Sequence, residues 1–156
     1  MAAMALSAFP SSPKVCGLLK NAVRRSDAMS EKVVASVGQA DCKDLQKTVI
    51  DYIDKKTRKP ASITKTTGQD WAEALGEACD RVGKRAKRKG FAVAVRMTGA
   101  RDRVVPARVD AIPILARCDQ KSSRAAKRVL ARLAKNKNKD VSQAAKDELK
   151  SLESKN

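Results

Sequence analysis

Large apolar side chains are scarce in this chain of 156 residues: Leu, Ile, Val and Phe together number 31, while alanine alone numbers 25. That share lies near the level, about one-fifth, below which a highly charged chain struggles to bury enough area to fold. Alanine covers little area but is the strongest helix former, so short helices that approach closely are easier to build than a wide sandwich filled with aromatic rings. The large aromatic residues are only Phe9, Tyr52, Trp71 and Phe91. The expected fold is therefore mainly α, a compact bundle of short helices of ordinary single-domain size.

Residues 1–11 read as a flexible N-terminal arm or a targeting segment, because MAAMALSAFPSSPK is small, hydroxylated and free of acid, as organellar transit peptides are. Residues 12–156 read as a single mostly helical domain. Ser12-Pro13 supplies a cap and a preorganised first position for a helix with Cys16, Leu19, Ala22 and Val23 on one side. A short helix from Ser30 carries Val33, Val34 and Val37 to a stop at Gly38. Asp41 is placed to cap a helix over 42–57, whose Leu45, Val49, Tyr52 and Ile53 recur at three- and four-residue steps. ASITKTTG at 61–68 reads as a linker or short extended piece.

QDWAEALGEACDRVGKRAKRKG reads as one helix, opened by Asp70 with Glu73 and closed by Gly90. Trp71, Leu75, Ala78 and Val82 mark its inner face, which makes Trp71 a core anchor and not a platform for stacked bases. FAVAVRM at 91–97 is β-branched and loosely alternating. With Thr98-Gly99-Ala100-Arg101 as a turn and 102–109 as a return strand broken by Pro106, it predicts one β-hairpin. Three helices follow, over 111–118, 123–135 and 141–152, with Ser122 capping the second, Asp140 with Gln143 capping the third, and 135–139 as a loop. Their succession suggests solenoid-like packing at the C-terminal end.

Charge points to a class of partner. Lys and Arg number 34 against 17 Asp and Glu, a net +17, and the excess is uneven: residues 84–156 hold 21 basic and 7 acidic side chains, residues 1–83 hold 13 and 10. Self-repulsion of this size is relieved by a polyanion, RNA first and DNA second. A membrane is a poorer partner, since no apolar run approaches the roughly 20 residues of a spanning helix and the basic segment lacks an apolar companion face.

KRAKRKG sets Lys84, Arg85, Lys87, Arg88 and Lys89 at the expected helix C-terminus, where cations interact favourably with the macrodipole. Arg96, Arg101, Arg103 and Arg108 lie on or beside the expected hairpin. Residues 84–108 thus form a basic finger of nine cations and one acid, Asp102. A second surface comes from Arg124, Arg128, Arg132 and Lys135, opposite the apolar side of their helix. Mixed Arg and Lys suit phosphate backbone more than a base code, and few aromatic residues speaks against stacking successive bases of a single strand. KRAKRK also reads as a nuclear-import signal.

The chain has no histidine, which excludes imidazole bases, His-containing triads and Cys/His zinc patterns. Gly76 and Gly83 are too far apart to cradle a phosphate. Cys16, Cys42, Cys79 and Cys118 form no close pair and read as buried thiols in a reducing compartment, in preference to disulfides or a metal site. The functional expectation is a non-catalytic, structural RNA-binding component of a ribonucleoprotein particle, the ribosome among them, with protein neighbours, no membrane span, and no catalytic residue, metal or cofactor. The alternatives are a DNA-packaging or viral nucleic-acid-binding protein, and a helical adaptor that docks on an acidic protein. The expected setting is intracellular: mitochondrion, plastid or nucleus.

Overall fold

The computed structural model describes residues 12–25, 33–34, 42, 44–58, 65–99, 104–119 and 123–154. The described residues form seven α-helices and no strand: α1 (Pro13–Arg24), α2 (Leu45–Thr57), α3 (Lys65–Arg81), α4 (Lys84–Gly99), α5 (Val105–Cys118), α6 (Arg124–Leu133) and α7 (Lys139–Ser154). The mainly-α expectation holds.

α1 begins as its sequence dictates. Pro13 fixes the first turn and Ser12 Oγ accepts the Val15 N–H at 3.2 Å, while Leu19 and Val23, one turn apart, are buried. α2 follows Asp44, whose φ of 67° is tolerated because a short polar side chain suffers least in the left-handed region. Its expected cap, Asp41, lies outside the described residues, as do 1–11, Val37, Gly38, Arg101, Arg103 and Ser122. α3 starts at Lys65, inside the segment expected to be a linker and five residues before Asp70. α7 is capped by Asn138 and not by Asp140: Asn138 Oδ1 accepts the N–H groups of Asp140 and Val141 at 3.1 and 3.2 Å, and Gln143 instead donates to Asp147.

The expected hairpin is absent. FAVAVRM lies within α4, and the buried residues there, Gly90, Val93, Ala94, Met97 and Thr98, step by three, one, three and one as one face of a helix does. The alternation of Phe91, Val93, Val95 and Met97 overlapped this period, and packing on a core face prevailed over local β propensity. Residues 105–118 are likewise helical, with Pro106 harmless in the first turn and Pro113 inside the helix. The expected single helix over 69–90 is also corrected. It breaks at Val82-Gly83, so KRAKRKG opens α4 and does not close α3.

Apolar side chains from all seven helices join one core cluster. Trp71 is 0% exposed and meets Tyr52 edge to face, ring centres 6.5 Å apart, which confirms it as a core anchor. α5 packs on α3, α4, α6 and α7, α2 lies across α3 and α4, and α1 lies on α2.

The four cysteines are not free thiols. Cys16 pairs with Cys42, and Cys79 with Cys118, at Cα separations of 5.5 and 5.0 Å. Their spacing of 26 and 39 residues hides this, because the partners are not neighbours in sequence: Cys42, just ahead of α2, meets α1, and the packing of α3 on α5 brings Cys79 to Cys118. α4 passes directly over the second bridge. A Cβ at Gly90 would lie 2.5 Å from Cys79 Sγ, so the crossing requires a residue without a side chain.

Candidate nucleic-acid interface

The break at Gly83 reverses the electrostatics of the basic run. Lys84, Arg85, Lys87, Arg88 and Lys89 occupy the first two turns of α4, at the positive end of its macrodipole, and neither Gly83 nor an acidic residue in the first turn offers the leading amides a side-chain acceptor. Cations and exposed N–H groups there repel one another and share an attraction for anions. Beside this end lies a groove of about 700 Å³ walled by Lys84, Arg85, Ala86 and Lys89 of α4 and by Lys47, Ile50 and Asp51 of α2. Nothing in the sequence around Lys47 marks it for this groove, because only the crossing of α2 beside α4 brings it here.

The second basic helix is built as its period predicts. Leu130, Leu133 and Ala126 face the core, and Arg124, Arg128, Arg132 and Lys135 run along the exposed side. The two surfaces meet. A cleft of about 420 Å³ is lined by Arg88 and Phe91 of α4, by Arg124, Ala125 and Arg128 of α6, and by Cys118 and Asp119 between them. Asp119 steadies the start of α6, since its Oδ2 accepts the Ala126 N–H at 2.7 Å.

Other expected contacts are used inside the fold. Arg96 Nη1 donates to Asp54 Oδ1 and Thr57 Oγ1, both at 2.9 Å, and Lys89 donates to Asp51 at 2.6 Å with Asp54 3.5 Å away. Arg58 completes the cluster at 2.8 Å from Asp54. Burial pushes the Asp54 carboxyl up, but hydrogen bonds from Arg58 and Arg96 and the charge of Lys89 outweigh it and hold the group below its ordinary value. The hydrogen bond to Asp51 holds Lys89 protonated to above its ordinary value, against its own partial burial.

Arg108 does not stand on a projecting hairpin. It is 7% exposed, and its Nε donates to the Thr98 carbonyl near the end of α4 at 3.0 Å. Arg117, absent from the expected site, crosses to Asp80 and Glu77 at 2.6 and 3.2 Å. The continuous finger over 84–108 is therefore corrected. Lys84, Arg85, Lys87 and Arg88 join Arg124, Arg128, Arg132 and Lys135 as cations with no carboxylate partner among the described residues, while Lys89 and Arg96 are paired and Arg108 is enclosed.

Among the described residues no cluster of three or more His, Cys, Asp or Glu is disposed to hold a metal ion, and no helix is long and apolar enough to cross a membrane. Comparison of the chain with protein-family models, with curated proteins and with solved structures returns no match.

Proposed function

We propose that this chain is a non-catalytic RNA-binding protein of a ribonucleoprotein particle, one that grips phosphate backbone along the face formed by the N-terminal half of α4 and the outer side of α6. The observation that carries this reading is the division of the cations. Acids neutralise Lys89, Arg96 and Arg117, whereas Lys84, Arg85, Lys87 and Arg88 of α4, Arg124, Lys127, Arg128 and Arg132 of α6, and Lys135 just beyond it have no carboxylate partner among the described residues. Guanidinium forks and ammonium groups on rigid helices suit phosphates in sequence-independent contact. A solenoid-like stacking of the C-terminal helices would carry that face past a strand and leave the opposite side to protein neighbours.

A second reading, packaging of nucleic acid in a particle such as a virion, is favoured by the pairing of all four cysteines, since disulfides persist at virion surfaces and in oxidising compartments and are rare in a reducing cytosol. The same pairing counts against a cytosolic ribosomal setting.

Titration of labelled duplex RNA with the oxidised protein, repeated from about 50 to 200 mM salt, tests the proposal, because affinity falls with a slope set by the number of phosphates neutralised. A steep fall is expected. A flat response would overturn the proposal, and equal affinity for duplex DNA would promote the packaging reading.

A further inference from the structure

We infer that the cleft between α4 and α6 is a seat for one unpaired nucleotide, with Arg88, Arg124 and Arg128 holding its phosphate and the ring of Phe91 lying against its base. The inference rests on the reading of this face as a nucleic-acid surface and adds to it a specific site and the type of strand it takes.

Two observations separate this cleft from the rest of the basic face, and a third, its size, suits a nucleotide. Its cations are all guanidinium groups, brought from two helices to one depression, and each is exposed with no carboxylate partner among the described residues. Planar forks converging from two directions can bond several oxygens of one phosphate, which the lysine-rich groove beside α2 does less well. Asp119 is the one acid in the lining, and it already bonds the Ala126 amide, so the cleft keeps two positive charges in excess over its acid.

Phe91 is the second feature. It is half-buried, its body packed against the core and the remainder lining the cleft. A ring held in this way can stack on a base without the cost of ordering a loose side chain. In the other groove the apolar wall is Ile50 and Ala86, which cannot stack. The third feature is size. At about 420 Å³ the cleft falls within the range, about 300–1,000 Å³, of pockets that enclose small ligands, far more room than a bare phosphate needs.

The scarcity of aromatic residues still speaks against a track of stacked bases. One ring beside three arginines fits a single flipped or terminal nucleotide, with duplex or further backbone continuing over the exposed cations of α6.

The test uses the full oxidised chain and two competitors of matched length, an oligoadenylate of about eight nucleotides and an inorganic polyphosphate of about eight phosphates. Displacement of a labelled single-stranded RNA is read by fluorescence anisotropy. The oligoadenylate should compete about tenfold better than polyphosphate, the contribution of one stacked base. Phe91→Leu should abolish that advantage while leaving polyphosphate affinity unchanged, and Phe91→Tyr, which keeps the ring, should preserve it. Arg88→Gln with Arg124→Gln and Arg128→Gln should weaken both competitors. Equal competition by the two in the unaltered protein, or an advantage that survives Phe91→Leu, would overturn the nucleotide seat and leave the electrostatic reading standing. Binding of neither would overturn both.

Discussion

Replacing Gly90 by alanine places a methyl group where Cys79 Sγ already lies, at 2.5 Å, with Cys118 Sγ a further neighbour at 3.5 Å. A comfortable contact would need α4 to withdraw by about an ångström, and overpacking of this kind costs about 1–3 kcal/mol. Against it stands the gain of about 1 kcal/mol when alanine replaces glycine inside a helix. The expected net loss is therefore about 1 kcal/mol. Cys79→Ala with Cys118→Ala removes both sulfurs and the closure of a 39-residue separation, at a cost of about 4 kcal/mol. In that background the clash is gone and the new methyl makes an ordinary contact with Ile50 Cδ1 at 3.6 Å, so Gly90→Ala should stabilise by up to about 1 kcal/mol. The sign of one substitution thus reverses with the presence of the bridge. Urea unfolding of the four proteins, followed by helical circular dichroism without reductant, measures the cycle. Effects that add to within about 0.5 kcal/mol would refute the reasoning, since uncoupled residues behave in that way. Alkylation of all four cysteines in the denatured, unreduced protein would remove its premise.

Asp54→Asn should destabilise by about 1–3 kcal/mol, less than for a fully enclosed pair because its cationic partners are partly exposed and screened. Since the Asp54 carboxyl is held below its ordinary value near 3.8, its contribution is present above that pH and lost as pH falls through the folded-state value. The urea midpoint of the parent protein should therefore fall more steeply than that of the Asn variant below about pH 4, and parallel profiles would contradict the cluster. Trp71→Ala should cost about 3–5 kcal/mol in the absence of any nucleic acid. Trp71→Phe should cost clearly less, because it also sheds a buried indole N–H that has no acceptor among the described residues. Unchanged melting of the Ala variant would show that Trp71 is not the anchor.

What was legible in the sequence was whatever a single helix determines by itself. Ser12 capping α1, Trp71 on the inner face of α3, and the stripe of Arg124, Arg128, Arg132 and Lys135 opposite Ala126, Leu130 and Leu133 all follow from local chemistry and the period of 3.6. Failure came where two periods coexist. In FAVAVRM the alternation of β-branched residues is conspicuous, but Gly90, Val93, Ala94, Met97 and Thr98 fit a helical face, and only the helices packed around it select between the two. Failure also came where partners are distant in sequence. Arg96 and Lys89 look like members of a basic finger until α2 brings Asp51 and Asp54 beside them, and Cys79 looks solitary until α5 delivers Cys118. A break at one glycine, Gly83, was enough to turn a cationic helix end into a cationic helix beginning. The charge count located the excess of cations in the second half of the chain and missed the shape they make.

We propose a partition in which the cations of α4 and α6 without carboxylate partners form the interface and the paired ones hold the fold. Its most direct test is the salt dependence of duplex RNA affinity in two charge-matched variants. One carries Lys84→Gln, Arg85→Gln, Arg124→Gln and Arg128→Gln; the other carries Lys89→Gln, Arg96→Gln, Arg117→Gln and Arg58→Gln. Each phosphate contact removed lowers the slope by about one, so the first variant should lose about three to four from its slope and keep its melting temperature. The second should melt earlier and, measured below its transition, keep the parent slope. Equal reductions of slope in both would contradict the claim, because affinity would then follow net charge and not the partition of cations that the fold creates.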